Sequence, residues 1–144
     1  MMHMHQSSDQ ACVCTLLRKA SRAVTRLYDE RLTAHGLTVT QFAILRHLAR
    51  NGDLQLNHLA ERLVMERTSL YRTIAPVARA GWVAIGQVDG RAKVAHLTPA
   101  GRDVMDRAES DWSSAQSTLL GGMDGTEWRA LQGSLDRLTD MAHA

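Results

Sequence analysis

Two helical patterns stand back to back between Leu56 and Gly81, with room for only a turn between them. The first places Leu56, Leu59, Ala60 and Leu63 on one side, and Val64-Met65 forms a tight connection. The second, about 66–80, turns Leu70, Ile74, Val77 and Ala78 inward and stops at Gly81. Two helices joined so closely have helix-turn-helix geometry. The outer face of the second helix then holds Arg67, Thr68, Ser69, Tyr71, Arg72 and Thr73. Arginine can read a guanine edge with two hydrogen bonds, while hydroxyls and helix-end amides hold phosphates. Glu61 and Glu66 are the acids nearby. A helix fits the major groove of B-DNA, so this face is a candidate duplex-reading surface. Pro76 lies inside the helix and removes the bond to the Arg72 carbonyl, which predicts a bend.

The flanking sequence supports that reading. Trp82 to Val88 is short and β-prone, Asp89-Gly90 is a hairpin turn signal, and Val94-Ala-His-Leu97 returns as a second strand. Arg91 and Lys93 stand at or beside the hairpin tip, where an arginine can enter the narrow, negative minor groove. Asp89 would repel phosphate unless it orients Arg91 or another arginine. Upstream, Thr38-Val-Thr-Gln41 is a capping box, and the helix behind it uses Phe42, Leu45, Leu48 and Ala49 before Asn51-Gly52. Three helices and a hairpin over 38–97 can build one small core.

The rest of the chain cannot be covered by that core. Leu17, Ala20, Val24, Leu27, Tyr28 and Leu32 lie at helical spacing, with Gly36 just past the end. About 22 residues of helix make a rod of ~33 Å. Thr98-Pro99 caps a further helix bearing Val104, Met105, Ala108, Trp112, Ala115 and Leu119. After Gly121-Gly122, Asp124-Gly-Thr-Glu127 offers another capping box before a helix with Trp128, Leu131, Leu135, Leu138 and Met141. These apolar stripes need a partner, and the same arms of a second chain supply one in a symmetric homodimer. The fold class is mainly α with a small β-hairpin wing. Its expected parts are a disordered tail over 1–12, a dimerisation helix over 13–36, a winged helix-turn-helix domain over 37–98 and C-terminal dimerisation helices over 99–144.

Composition narrows the class. A chain of 144 residues suits one domain with helical extensions. It has no apolar run long enough for a bilayer and no signal peptide pattern, so a cytoplasmic location without a membrane partner is expected. Seven basic and four acidic residues in 1–54 give +3, six and three in 55–94 give +3, and four and eight in 102–144 give −4. A basic front and middle with an acidic tail fits a protein that presents one part to phosphates, although a mixed solvated surface has the same arithmetic. Gly-rich phosphate loops, HExxH pairs and nucleophile elbows do not occur, which argues against an enzyme and against a cofactor. The competing reading is a helical protein-interaction module without DNA binding, against which Arg67, Arg72, Arg91 and Lys93 stand.

In order and spacing, several stretches together resemble the MarR family of bacterial transcription regulators. They are Leu37-Thr-Val-Thr-Gln-Phe-Ala-Ile-Leu45, Leu59-Ala-Glu-Arg-Leu63, Glu66-Arg-Thr-Ser-Leu-Tyr-Arg72, Arg79-Ala-Gly-Trp-Val83, Asp89-Gly-Arg-Ala-Lys93 and Leu97-Thr-Pro-Ala-Gly101. The resemblance spans roughly residues 13–143. It implies a triangular homodimer with interlocked terminal helices on a pseudo-palindromic operator. It also implies that Thr68, Ser69, Tyr71 and Arg72 face bases and phosphates, with Arg91 as the wing-tip arginine. Gln55 stands where Ser or Thr often caps the first helix of the motif.

Members of that family are usually released from DNA by a small molecule or by cysteine oxidation. The first helix is similar to that of the organic-hydroperoxide-sensing branch through Cys14-Thr-Leu-Leu17, Ala20-Ser21-Arg22 and Tyr28. The similarity implies that Cys14 is the peroxide-reactive thiol and Tyr28 one of its hydrogen-bonding tyrosines, while Arg18 and Val39 replace two others. A thiol at a helix N-terminus followed by Arg18, Lys19 and Arg22 favours thiolate. Cys12 could resolve the oxidised thiol, although residues two apart on a helix do not face each other. Two readings compete: inert side chains at a dimer contact, and metal binding with His3 and His5. The resemblance also implies a ligand pocket between arms and core, near Arg46, His47 and Trp112.

Overall fold

Thr38 fixes where the central helix begins. Its hydroxyl accepts from the Gln41 amide at 3.2 Å, and the Gln41 side chain accepts from the Thr38 amide at 3.1 Å. Both halves of the expected capping box are therefore formed. A third bond comes from outside the segment, where the Val39 amide donates to Asp29 Oδ1 at 2.8 Å. The computed structural model describes residues 11–87, 90 and 92–143. Its elements are α1 (Val13–Leu32), a 3-10 turn (Thr33–His35), α2 (Val39–Asn51), β1 (Leu54–Gln55), α3 (Leu56–Arg62) and α4 (Arg67–Arg79). They continue as β2 (Val83–Gln87), β3 (Lys93–Leu97), α5 (Pro99–Leu120) and α6 (Gly125–His143).

The hairpin is joined by a strand too short to show a period in the sequence. β1 pairs antiparallel with β3, Leu54 opposite Ala95, and β3 pairs with β2, Val83 opposite Leu97, giving the order β1-β3-β2. Gln55 thus ends a strand and starts α3 at once, and it makes no side-chain cap. Pro76 lies inside α4, which continues past it as one helix, with the Ala80 amide on the Pro76 carbonyl at 3.0 Å. The expected hairpin-tip residues Asp89 and Arg91 lie outside the described residues, as does the tail through Gln10 with His3 and His5.

Leu70, Ile74 and Val77 of α4 are buried against Phe42, Leu45 and Leu48 of α2 and Leu56, Leu59 and Ala60 of α3. Each Val, Leu, Ile or Phe side chain among them contributes on the order of 1.5–3 kcal/mol by leaving water. The same core takes in Leu32 from the end of α1 and Val104, Met105 and Ala108 from the first half of α5. It therefore reaches further along the terminal helices than the 38–97 segment alone. Where α1 meets α5, Tyr28 donates to Gln116, Arg31 to Ser114, and His35 Nε2 lies 2.7 Å from Asp111.

Beyond that seam the cover stops. Every described residue from Ala11 to Ala23 is exposed, and α6 buries none. Val13, Leu16, Leu17, Leu131, Leu135 and Met141 all stand exposed. Among the described residues no helix is long and apolar enough to cross a membrane.

Candidate nucleic-acid interface

Burial of Leu70, Ile74 and Val77 decides which side of α4 faces out. Arg67, Thr68, Tyr71 and Arg72 are exposed, and Ser69 and Thr73 are half-buried. All six expected residues therefore lie on the uncovered side, though not equally free. The Thr73 hydroxyl donates to the Ser69 carbonyl at 2.8 Å, so its proton is already used within the helix. The first turn of α4 holds no acidic residue, and Glu66 before it makes no side-chain cap. Among the described residues no side chain caps the opening amides of the helix, which is the arrangement that attracts phosphate oxygens.

The turn between α3 and α4 is held by its own backbone. Met65 N donates to the Ala60 carbonyl at 2.8 Å and Val64 N to the Glu61 carbonyl at 3.1 Å. This pairing closes a helix C-terminus in the Schellman manner and needs a left-handed residue. That residue is Val64, at φ 52°. A β-branched side chain is costly there, so the tertiary structure holds the turn in place.

The wing stands beside this face. Lys93 Nζ lies 5.6 Å from the Tyr71 ring centroid. A cleft of about 230 Å³ runs between α4 and the wing, lined by Leu56, Asn57, Arg67, Tyr71, Gln87, Ala92 and Lys93. The structure thereby joins Tyr71, Arg67 and Lys93 in one surface and adds Asn57 and Gln87, which the sequence reading missed. Neither has a local signature, because what places them is the packing of α3 and β2 against α4.

A second concavity lies along α2. It encloses about 410 Å³ between Val39, Phe42, Ala43, Arg46, His47, Arg50 and Asn51 of α2, Arg62 of α3 and Trp112 of α5. Its floor is aromatic, with Phe42 and Trp112 stacked at 6.0 Å and 20°. The Arg46 guanidinium sits 4.2 Å over Trp112. Among the described residues three arginines and a histidine line it, and no carboxylate does. His47 Nδ1 faces the Ala43 carbonyl at 2.9 Å, and a carbonyl only accepts, so that nitrogen carries the proton. The residues expected near a ligand, Arg46, His47 and Trp112, are brought together here.

The cysteines stand apart from both. Helix α1 begins at Val13, which makes Cys12 the capping residue and puts Cys14 in the first turn. Both are free and exposed. The side chain and backbone of Thr15 hold the Cys12 thiol below its ordinary value, assisted by the Cys14 backbone and the Arg18 charge. Tyr28 lies fourteen residues beyond Cys14, about 21 Å along the helix axis. Its hydroxyl is engaged by Gln116, and burial pushes its pKa up against the opposing charge of Arg46. Within one protomer the structure does not bring Cys14 and Tyr28 together. Among the described residues no three His, Cys, Asp or Glu side chains gather as a metal site.

This architecture has counterparts among known proteins. Residues 35–92 match the model of the MarR family. The HTH-type transcriptional regulator YwaE of Bacillus subtilis is 24% identical, covering 89% of this chain and 76% of that protein. The M. tuberculosis transcriptional regulator MosR superposes with a TM-score of 0.83 at 29% identity, covering 93% of this chain and 97% of that one. MosR solved in complex with DNA gives 0.84 at the same identity, over 92% and 97%. A probable transcriptional regulator from Pseudomonas aeruginosa gives 0.80 at 26% identity, over 91% and 98%.

Proposed function

Because this chain belongs to the MarR family of transcriptional regulators, we propose that two copies clasp through α1 and α6 and set their α4 helices into successive major grooves of an operator. The observation that carries this is the exposed Arg67, Thr68, Tyr71 and Arg72 face, backed by a buried apolar face and flanked by Lys93. Paired half-sites would lie about 34–36 Å apart. In this reading Arg72 reads bases, while Arg67, Thr68, Ser69 and Lys93 hold backbone. The sequence assigns Arg91 the minor-groove contact, and Asp89 the task of orienting it or another arginine. The protein works in the cytoplasm as a repressor, by binding rather than by catalysis.

The test is a binding selection from random duplexes, followed by titration of the selected site and of an unrelated one. Arg72→Ala is expected to lose ~1–3 kcal/mol on the selected site and much less on the unrelated one. Equal losses on both would make Arg72 a phosphate contact. If no duplex is enriched, the chain is an interaction module and not a DNA reader.

Release from DNA follows from the pocket on α2. A flat ring can take the place of the Arg46 guanidinium over Trp112, and its anionic group then meets Arg46, Arg50 and Arg62. The effector class is therefore a small aromatic acid, for which charge-assisted and bidentate arginine bonds supply orientation.

The exposed thiols support oxidation as a second route. A thiolate at Cys12 or Cys14 attacks a peroxide oxygen, the O–O bond breaks, and the alcohol leaves as the sulfur becomes a sulfenic acid. The other thiol, or one from the second copy, displaces water to form a disulfide. Tyr28 can assist only across the dimer, against the cysteine of the other copy. An organic hydroperoxide is expected to release operator from the wild type and not from Cys14→Ser. Equal release from both would assign the sensing to Cys12 or to neither, which Cys12→Ser distinguishes.

A further inference from the structure

We infer that Arg62 is the residue through which an occupied pocket displaces the recognition helix. The inference rests on the reading of α2's concavity as an effector site. Among the described residues that line the pocket, Arg62 alone belongs to the helix-turn-helix pair, the others coming from α2 and α5. Its Nη1 donates to Asn51 Oδ1 at 3.3 Å. That is long for an N–H···O bond, and both side chains are exposed, so the bond is weak. Asn51 is itself anchored, its Nδ2 donating to the His47 carbonyl at 2.8 Å. Arg62 thus ties the end of α3 to the end of α2 by a tether that is easily exchanged.

A carboxylate beside Arg46 and Arg50 competes with the neutral Asn51 amide for the same guanidinium. The charge-assisted bond is about twice as strong as the neutral one, so the exchange favours the ligand. Moving Arg62 moves the last turn of α3. The backbone bonds from Met65 to Ala60 and from Val64 to Glu61 pass that shift on, because they lock the turn to the helix end. Four residues separate Arg62 from the first residue of α4, so little slack can absorb it. The recognition helix then sits differently in its groove, and operator and effector oppose each other. That opposition is reciprocal, each ligand weakening the other by the same factor.

The experiment uses the full-length protein, its selected operator, and benzoate as the probe. Benzoate binding is measured by calorimetry and operator binding by fluorescence anisotropy, each taken to saturation. For the wild type, saturating benzoate is expected to raise the operator Kd about five- to 150-fold, the range typical of coupled sites. Arg62→Gln is expected to bind benzoate more weakly, yet at saturation its operator Kd should hardly move. Asn51→Ala is expected to bind operator more weakly than the wild type without benzoate, since the tether is gone. The inference is overturned if saturated Arg62→Gln releases operator as the wild type does, or if Asn51→Ala binds operator like the wild type. No saturable heat from the wild type would instead sink the effector site itself, and the relay with it.

Discussion

Replacing Gly101 with alanine is expected to destabilise the protein by about 3 kcal/mol or more, a loss reserved for a few named mechanisms. A Cβ at Gly101 would stand 2.0 Å from the Trp82 carbonyl oxygen, 2.8 Å from its carbon and 2.9 Å from Leu97 Cδ1. The first two are backbone atoms, which cannot turn aside. They are also committed, because the Trp82 oxygen accepts from the Thr98 amide at 3.1 Å. The Thr98 hydroxyl donates to the Gly81 carbonyl at 2.6 Å and accepts from the Gly101 amide at 3.0 Å. The start of α5 is thereby bolted to the corner between α4 and β2. Alanine is the better helix former by about 1 kcal/mol, so propensity alone predicts stabilisation. The clash is larger and of opposite sign. Urea titration decides between them, with Gly133→Ala as the control. That glycine lies in α6, where a Cβ would meet only Arg137 Nη1 at 3.7 Å. The control should gain about 0.5–1 kcal/mol. A Gly101→Ala protein as stable as the wild type would mean that α5 does not approach Trp82 this closely.

A charge placed on α6 should act on assembly and leave the protomer's fold alone. Leu135→Asp is expected to convert the dimer to a monomer in gel filtration at micromolar concentration. Operator affinity should then fall by on the order of 10²–10⁴-fold, because one reading head no longer holds the other near its half-site. The reasoning is one of burial. Leu135 is 38% exposed in the single chain, and α6 contributes nothing to the core. The thermal transition of the protomer core therefore should survive the substitution. In the proposed dimer, however, an ionised carboxylate would be buried in an apolar seam without a partner, at a cost that no rearrangement of an exposed helix repays. Leu135→Ala is the milder companion and should weaken the dimer without abolishing it. An intact dimer in Leu135→Asp would place the interface elsewhere on the chain.

Much of the fold was legible one helix at a time. Thr38 with Gln41, Thr98 before Pro99, and Asp124 accepting from the Glu127 amide at 2.8 Å all mark helix starts by bonds that span three residues. The period of Leu70, Ile74 and Val77 announces the buried side of α4, and with it the outward set Arg67, Thr68, Tyr71 and Arg72. The exposed arms were legible as well, since a stripe such as Leu131, Leu135 and Leu138 has no counterpart within its own segment. Such features depend on neighbours one helical turn away, and the chain carries that information wherever it folds.

Other features depend on which distant segments meet. Two residues of β1 become a strand only because β3 lies alongside. The first half of α5 joins the core because Val104 and Ala108 find Phe42 and its neighbours. Arg46 over Trp112, Lys93 beside Tyr71 and Arg62 on Asn51 are pairs separated by eleven to sixty-six positions. No local pattern encodes such pairs, because each is set by the packing of two elements whose relative placement is a property of the whole core. The sequence by itself therefore determined where helices begin, which sides they bury, and that one polar side of α4 is left for a ligand. The tertiary structure alone decided how the wing frames that side, where the basic aromatic pocket forms, and which arginine connects the two.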